Sequence, residues 1–135
     1  MNPIEVSNTK SLIKVKDACI DDSTFECVSL ANVTFFDVNL SGIKIANANM
    51  SDIEIKDAQL GGAYIHGIGL PPEDHPAFVP GEKQRPITFE NCEMEGSTIT
   101  NCNLTNVAIK DCEIKGMTIN GIAVEDLLAN YTSGK

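Results

Sequence analysis

The sequence predicts an all-β fold in which the chain winds into a stack of square coils, and two superimposed periods predict it. A large apolar residue recurs at every fifth position, and a smaller apolar residue usually lies two positions before it. A period of five fits neither an α-helix, with 3.6 residues per turn, nor a flat strand, with a period of two. Very short strands joined by corners that all turn the same way would bury both apolar columns around one axis.

The first period consists of two apolar series that are one register apart. They are Val15, Ile20, Phe25, Leu30, Phe35, Leu40, Ile45, Met50, Ile55, Leu60, Ile65 and Leu70, then Phe89, Met94, Ile99, Leu104, Ile109, Ile114, Ile119 and Val124. We expect these side chains to point inward, and burial of each is worth roughly 1.5–3 kcal/mol. Cys92, Cys102 and Cys112 belong to the smaller column and are expected inside as small apolar groups, whereas Cys19 and Cys27 are expected outside.

The second period shows how many corners close one coil. Glycines recur four pentapeptides apart at Gly42 and Gly62, and again at Gly96 and Gly116. Asp or Asn recurs at the same spacing, at Asp17, Asp37, Asp57, Asn91 and Asp111. The glycines predict a corner that needs either positive φ or a close approach of neighbouring coils, and the Asp/Asn series predicts a corner where the side chain accepts the N–H two residues on. Five coils follow, with central residues 15–30, 35–50, 55–70, 89–104 and 109–124.

These elements form one predicted domain over residues 1–135. Residues 1–12 are an N-terminal cap, 13–70 are coils one to three, 71–86 are an inserted loop, 87–124 are coils four and five, and 125–135 are a C-terminal cap and tail. The insertion contains five of the chain's six prolines, which cannot donate to a strand ladder. A short capping helix is predicted at about 125–131, because Glu125 and Asp126 suit a helix start.

Several segments carry a family resemblance. DACI, DVNL, NANM, DAQL, NCEM, NCNL and DCEI resemble the A(D/N)LXX pattern of pentapeptide-repeat proteins, although Asp or Asn here usually precedes the small residue. The resemblance implies a right-handed quadrilateral parallel β-helix over about residues 13–124, apart from the insertion.

Charge and cysteine content limit the classes of partner. The net charge of −9 argues against direct binding of nucleic acid or of an anionic membrane. No apolar run approaches the roughly 20 residues of a membrane span, and the N-terminus lacks the apolar region of a secretory signal. Five cysteines without a CxxC pair predict neither a disulfide scaffold nor a zinc site, and they favour a reducing cytoplasm.

The residues that bear chemistry are few. His66 and His75, with Glu73 and Asp74, could form a metal or acid–base cluster, but their spacing matches no HxH or HExxH motif. No phosphate-binding glycine loop and no nucleophile motif is present. We therefore expect a protein that is not an enzyme and needs no cofactor. A metal-dependent enzyme that uses the inserted loop is an unfavoured alternative.

The predicted function is a non-enzymatic interaction or scaffolding protein that binds another protein. The expected surface is an acidic strip of Asp17, Asp21, Asp37, Asp57, Glu93, Glu95, Asp111 and Glu113, flanked by Lys14, Lys16, Lys56 and Lys110. His75 and Phe78 offer a loop contact, and Leu127, Leu128 and Tyr131 could form a homodimer cap, since exposed apolar patches often mark interfaces. The resemblance also implies an alternative, an acidic DNA mimic that binds a topoisomerase such as gyrase.

Overall fold

The computed structural model describes residues 4–134, and its regular elements lie near the C-terminal end. Strand β1 spans Thr118–Ile119, strand β2 spans Ile122–Ala123 and helix α1 spans Val124–Ser133. The two strands pair antiparallel, with Thr118 opposite Ala123 and Ile119 opposite Ile122. Over the described residues there is no parallel β-helix, so the predicted fold class and its description as a repeat protein built on coils are wrong.

Contacts within the chain divide it into two units, Met1–Gly61 and Gly62–Lys135. In both units the five-residue sequence period survives as a local backbone feature, a residue with left-handed φ at every fifth position. In the first unit these are Asp17, Asp22, Cys27, Asn32, Asp37, Gly42, Asn47, Asp52 and Asp57. In the second they are Gly62, Gly67, Asn91, Gly96, Asn101, Asn106, Asp111 and Gly116. Gly, Asn and Asp tolerate this region best, which explains the recurrence of these residue types.

The left-handed residues alternate between open bends and hydrogen-bonded turns. In each closed turn the amide of one residue donates to the carbonyl three residues before it, as for Val33 N to Leu30 O at 3.2 Å and Ile43 N to Leu40 O at 3.1 Å. Positive φ at the third residue, 62° at Asn32 and 75° at Gly42, is typical of a type II turn. The glycine positions thus have positive φ, which is one of the two alternatives that the sequence predicts.

The side-chain hydrogen bonds that support these turns come from a different set of residues than the Asp/Asn series to which the sequence assigns them. Asn39 Oδ1 accepts the Ser41 amide, Asn49 Oδ1 accepts the Ser51 amide, and Asn103 Oδ1 accepts the Thr105 amide, each at 3.0 Å. The Asp/Asn series that begins at Asp17 instead occupies the open bends with its own backbone left-handed, at a φ of 52° for Asp17. The sequence pattern found the corners but assigned this side-chain bond to the wrong column.

The predicted interior is exposed. Among the described residues no side chain is buried, and the apolar series ranges from 39% exposed at Met50 to 64% at Phe89, with only Ile114 and Val124 half-buried. The prediction that these columns form a dry core is therefore wrong. Cys92, Cys102 and Cys112 are also exposed rather than inside, and each thiol donates to the carbonyl two residues before it.

Among the described residues, no backbone hydrogen bond joins segments that are one predicted coil apart. A parallel β-helix requires ladders between segments one coil apart in sequence. Among the described residues, the backbone hydrogen bonds outside α1 and the β1–β2 pair close turns of four residues, apart from one at the C-terminal end.

The inserted loop, residues 71–86, consists of consecutive turns. The His75 amide donates to the Pro72 carbonyl and the Phe78 amide to the His75 carbonyl, both at 2.9 Å. Gly81, with a φ of 80°, allows the turn from Val79 to Glu82. Phe78 is one of the few half-buried side chains among the described residues.

The C-terminal end is where the chain folds back on itself. Asn120 and Gly121 both have positive φ, 50° and 79°, which is the geometry of a type I′ hairpin between β1 and β2. The predicted fifth coil is therefore wrong over these residues. After the hairpin, Val124 N donates to Met117 O at 3.0 Å, and α1 begins with Glu125 and Asp126 in its first turn.

Helix α1 is present where the sequence places a short helix, and it extends the predicted range of 125–131 at both ends. The carboxylates in its first turn interact favourably with the partial positive charge of the helix N-terminus. At the other end, Thr132 Oγ1 donates to the Ala129 carbonyl at 2.9 Å. The helix thus has acidic residues at its start and no basic residue in its last turn.

Candidate functional site

The first unit contains an open hollow of about 540 Å³ between the N-terminal segment and a turn of the chain. It is lined by Ile4, Glu5, Val6, Ser7, Asp21, Asp22, Ser23 and Thr24. Residues 4–7, part of the predicted N-terminal cap, thus lie beside residues 21–24. The hollow combines three carboxylates with two aliphatic side chains, and Asp21 is the member of the predicted acidic strip found there.

The other carboxylates of the predicted strip lie in two kinds of local structure. Asp17, Asp37, Asp57 and Asp111 are in open bends, and Glu93, Glu95 and Glu113 lie in or beside hydrogen-bonded turns. Asp17 and Asp57 approach the preceding lysines, with Lys16 Nζ at 3.8 Å and Lys56 Nζ at 4.0 Å from a carboxylate oxygen. These pairs are well exposed and worth little to stability. Glu113 Oε1 accepts the Lys115 amide at 3.2 Å. All the carboxylates of the predicted strip are exposed, and their role as a binding surface stays a prediction.

The two histidines have separate local partners. His66 stacks on Tyr64, with ring centroids 4.2 Å apart, and His75 Nδ1 accepts the Ala77 amide at 3.1 Å. Among residues 4–134, no group of three His, Cys, Asp or Glu side chains could hold a metal ion. The Tyr64–His66 stack is not among the sequence-based predictions. Its signal is two rings two residues apart, which share one face of an extended segment.

The predicted loop contact consists of His75 and Phe78. The Phe78 amide donates to the His75 carbonyl, so the two residues belong to one turn. His75 is exposed, whereas Phe78 is half-buried. The loop therefore presents the imidazole outward and covers much of its phenyl ring.

Helix α1 carries an apolar stripe. Val124, Leu127, Leu128 and Tyr131 are three, four and seven residues apart along the helix, a spacing that puts them on one stripe. Val124 is half-buried, but Leu127 and Leu128 remain 43% and 51% exposed. The helix start is tied to the preceding turn, because the Gly116 amide donates to Glu125 Oε2 at 3.4 Å.

No protein-family model, no curated protein and no solved structure matches this chain. The resemblance to pentapeptide-repeat proteins therefore stays a prediction. Within residues 4–134, no helix has the length and apolar character needed to cross a membrane.

Proposed function

We propose that this protein is a non-catalytic binding protein of the cytoplasm that attaches to another protein through its exposed apolar and acidic side chains. The observation that carries the proposal is the exposure of large apolar side chains along the described residues, such as Phe35 at 56%, Ile99 at 64% and Leu128 at 51%. Large exposed apolar surfaces commonly mark binding sites.

The spacing of the exposed groups supports recognition rather than non-specific adhesion. A left-handed residue at every fifth position fixes the local turn on either side of each apolar side chain. Hydrogen-bonded turns such as Leu40 to Ile43 limit the freedom that would be lost on binding. The net charge of −9 favours a partner with a basic surface, because complementary charge speeds encounter and excludes acidic partners.

One further observation supports the compartment. The five cysteines are free and exposed, a condition that the reducing cytoplasm maintains.

The test is quantitative affinity capture from lysate with two variants that raise the net charge equally. The triple variant Glu93→Gln, Glu95→Gln, Glu113→Gln removes three predicted contacts. The control Ser97→Lys, Thr98→Lys, Thr100→Lys makes the same charge change at neutral positions of the same segment. We expect a saturable partner of wild type that the control retains and the glutamine variant loses, with purified partner giving the same order of affinity. Equal capture by both variants would rule out the acidic side chains, and no saturable partner would refute the function.

A further inference from the structure

We propose that Asn120 is a site of spontaneous covalent modification, at which deamidation and conversion to isoaspartate release helix α1 from the segment before it. The reaction needs only water, and it is independent of the protein-binding function proposed above. Three observations carry the inference: the Asn120–Gly121 pair itself, its position in the hairpin, and the hydrogen bonds that depend on the hairpin.

The reaction begins when the backbone nitrogen of Gly121 attacks the side-chain carbonyl carbon, Cγ, of Asn120. A bond forms between Gly121 N and Asn120 Cγ, and the bond from Cγ to Nδ2 breaks. The amide proton of Gly121 leaves with the side-chain nitrogen as ammonia, and a cyclic succinimide remains. Water then opens the ring at either carbonyl. Opening at the side-chain carbonyl gives aspartate, whereas opening at the main-chain carbonyl gives isoaspartate, whose backbone runs through the side-chain carbons.

Asn120 differs from the other asparagines of the chain in the residue that follows it. It is the only asparagine in the sequence that precedes a glycine. Asn32 and Asn106 also have positive φ, 62° and 63°, but a valine follows each of them, and its branched side chain crowds the attacking nitrogen. A Cβ added at Gly121 would meet no atom within 4 Å, so the space beside the attacking residue is open.

The hairpin places the pair at an exposed tip. Asn120 and Gly121 are both exposed, and the ladder joins the residues of β1 and β2 on either side of them. A closed type I′ turn fixes the torsion angles around Asn120, so the attack occurs in the molecules whose turn has opened. Because each strand has two residues, the hairpin is marginally stable, and we expect it to open often.

Isoaspartate at this position removes the support of α1. Its longer backbone does not fit a two-residue type I′ loop, so the strand register that the loop sets is lost. Two hydrogen bonds join the start of α1 to the segment before the hairpin, from Val124 N to Met117 O at 3.0 Å and from Gly116 N to Glu125 Oε2 at 3.4 Å. Both depend on the reversal of the chain, and loss of the hairpin therefore frees the helix.

The experiment incubates the purified full chain at physiological temperature and pH in water that carries a heavy oxygen isotope. Deamidation incorporates a solvent oxygen, so peptide mass spectrometry gives the extent of conversion at each asparagine, and electron-based fragmentation distinguishes isoaspartate from aspartate. Asn106 is the control within the chain. Asn120→Gly is the control variant, because Gly-Gly also suits a type I′ loop but has no side-chain amide to lose. Ion exchange separates the converted fraction by its added negative charge, and amide exchange of residues 122–133 reports on the helix.

We expect Asn120 to convert at least about tenfold faster than Asn106, which corresponds to a barrier lower by about 1.4 kcal/mol. In the isoaspartate fraction, the amides of residues 122–133 should exchange at least about fivefold faster than in the unconverted fraction. Incubated Asn120→Gly should exchange like the fresh variant. Equal conversion at Asn120 and Asn106 would overturn the proposal. Unchanged exchange in the isoaspartate fraction would also overturn it, as would an equal rise in the incubated glycine variant.

Discussion

Residues 13–61 and residues 114–133 differ in how far their apolar side chains are exposed. In the first segment regular turns follow one another, yet apolar side chains such as Phe35 remain 56% exposed. In the second, a hairpin reverses the chain, hydrogen bonds join segments beyond one turn, and Ile114, Met117 and Val124 are half-buried. Repeating local geometry therefore does not by itself bury apolar surface, because burial requires segments distant in sequence to lie side by side.

Breaking the hairpin gives the largest expected effect on this comparison. Gly121 has a φ of 79°, and Gly121→Val should destabilise the C-terminal end by about 1–2 kcal/mol or more, since L side chains strain this region. Gly69→Val is the matched control, because a Cβ at Gly69 meets no atom within 4 Å and its φ is not positive. Urea titration followed by the helical circular dichroism signal measures both. Equal midpoints for the two variants would show that the hairpin does not support α1.

Removing the side chain that ties α1 to the preceding turn should have a smaller effect. Glu125→Ala eliminates the hydrogen bond from the Gly116 amide as well as a carboxylate in the first turn, whereas Asp126→Ala eliminates only a first-turn carboxylate. We expect Glu125→Ala to cost about 0.5 kcal/mol more in the same titration, because the Gly116 contact is long at 3.4 Å and exposed. Indistinguishable variants would show that the Gly116 contact contributes nothing.

In residues 13–61, replacement of Cys27 by Asn should give a small gain in stability. Cys27 has a φ of 52° in a left-handed series otherwise made of Gly, Asn and Asp. Cys27→Asn should stabilise the local turn by up to about 1 kcal/mol, because Asn tolerates this conformation better. Cys19→Asn, which changes an exposed cysteine outside the left-handed series, should not. Amide exchange of the flanking residues measures the difference, and greater protection in the Cys19 variant would contradict the assignment.

The smallest change in stability is expected at Phe35, where the apolar pattern of the sequence predicts a large one. Phe35→Asp places a charge in the column predicted to be dry, but Phe35 is 56% exposed and the neighbouring Thr34 is exposed as well. Phe35→Asp and Thr34→Asp should therefore each change stability by less than about 0.5 kcal/mol, as surface substitutions do. Unfolding by Phe35→Asp alone in a thermal melt would show that the column is buried.

Local geometry was predictable from the sequence, and long-range pairing was not. The spacing of Gly42 and Gly62 identified positions of positive φ, because that conformation depends mainly on the residue itself. Glu125 and Asp126 located the start of α1 for a similarly local reason. Apolar periodicity, in contrast, shows which side chains share a face but not what covers that face.

The hairpin was missed although its signal was present. Asn120–Gly121 lies between short apolar segments, and such a pair is a strong indicator of a two-residue hairpin loop. The five-residue period continued through Ile119 and Val124, so these residues were assigned to a fifth coil. The predicted acidic strip was inferred from the same coils, which the structure lacks over the described residues, so the strip stays a prediction. The exposed leucines of α1 were identified, but their attachment through Val124 and Glu125 requires the folded hairpin.

Amide hydrogen exchange followed by mass spectrometry tests the central claim most directly, because it compares the two regions in one sample. Peptides that cover residues 114–133 should exchange slowly, since their amides join α1, the hairpin and the Val124–Met117 bond. Peptides that cover residues 13–61 should exchange at least about tenfold faster, because amides in exposed, local turns open readily. Slow, uniform exchange throughout residues 13–61 would contradict the account, since it would require a ladder of hydrogen bonds between distant segments.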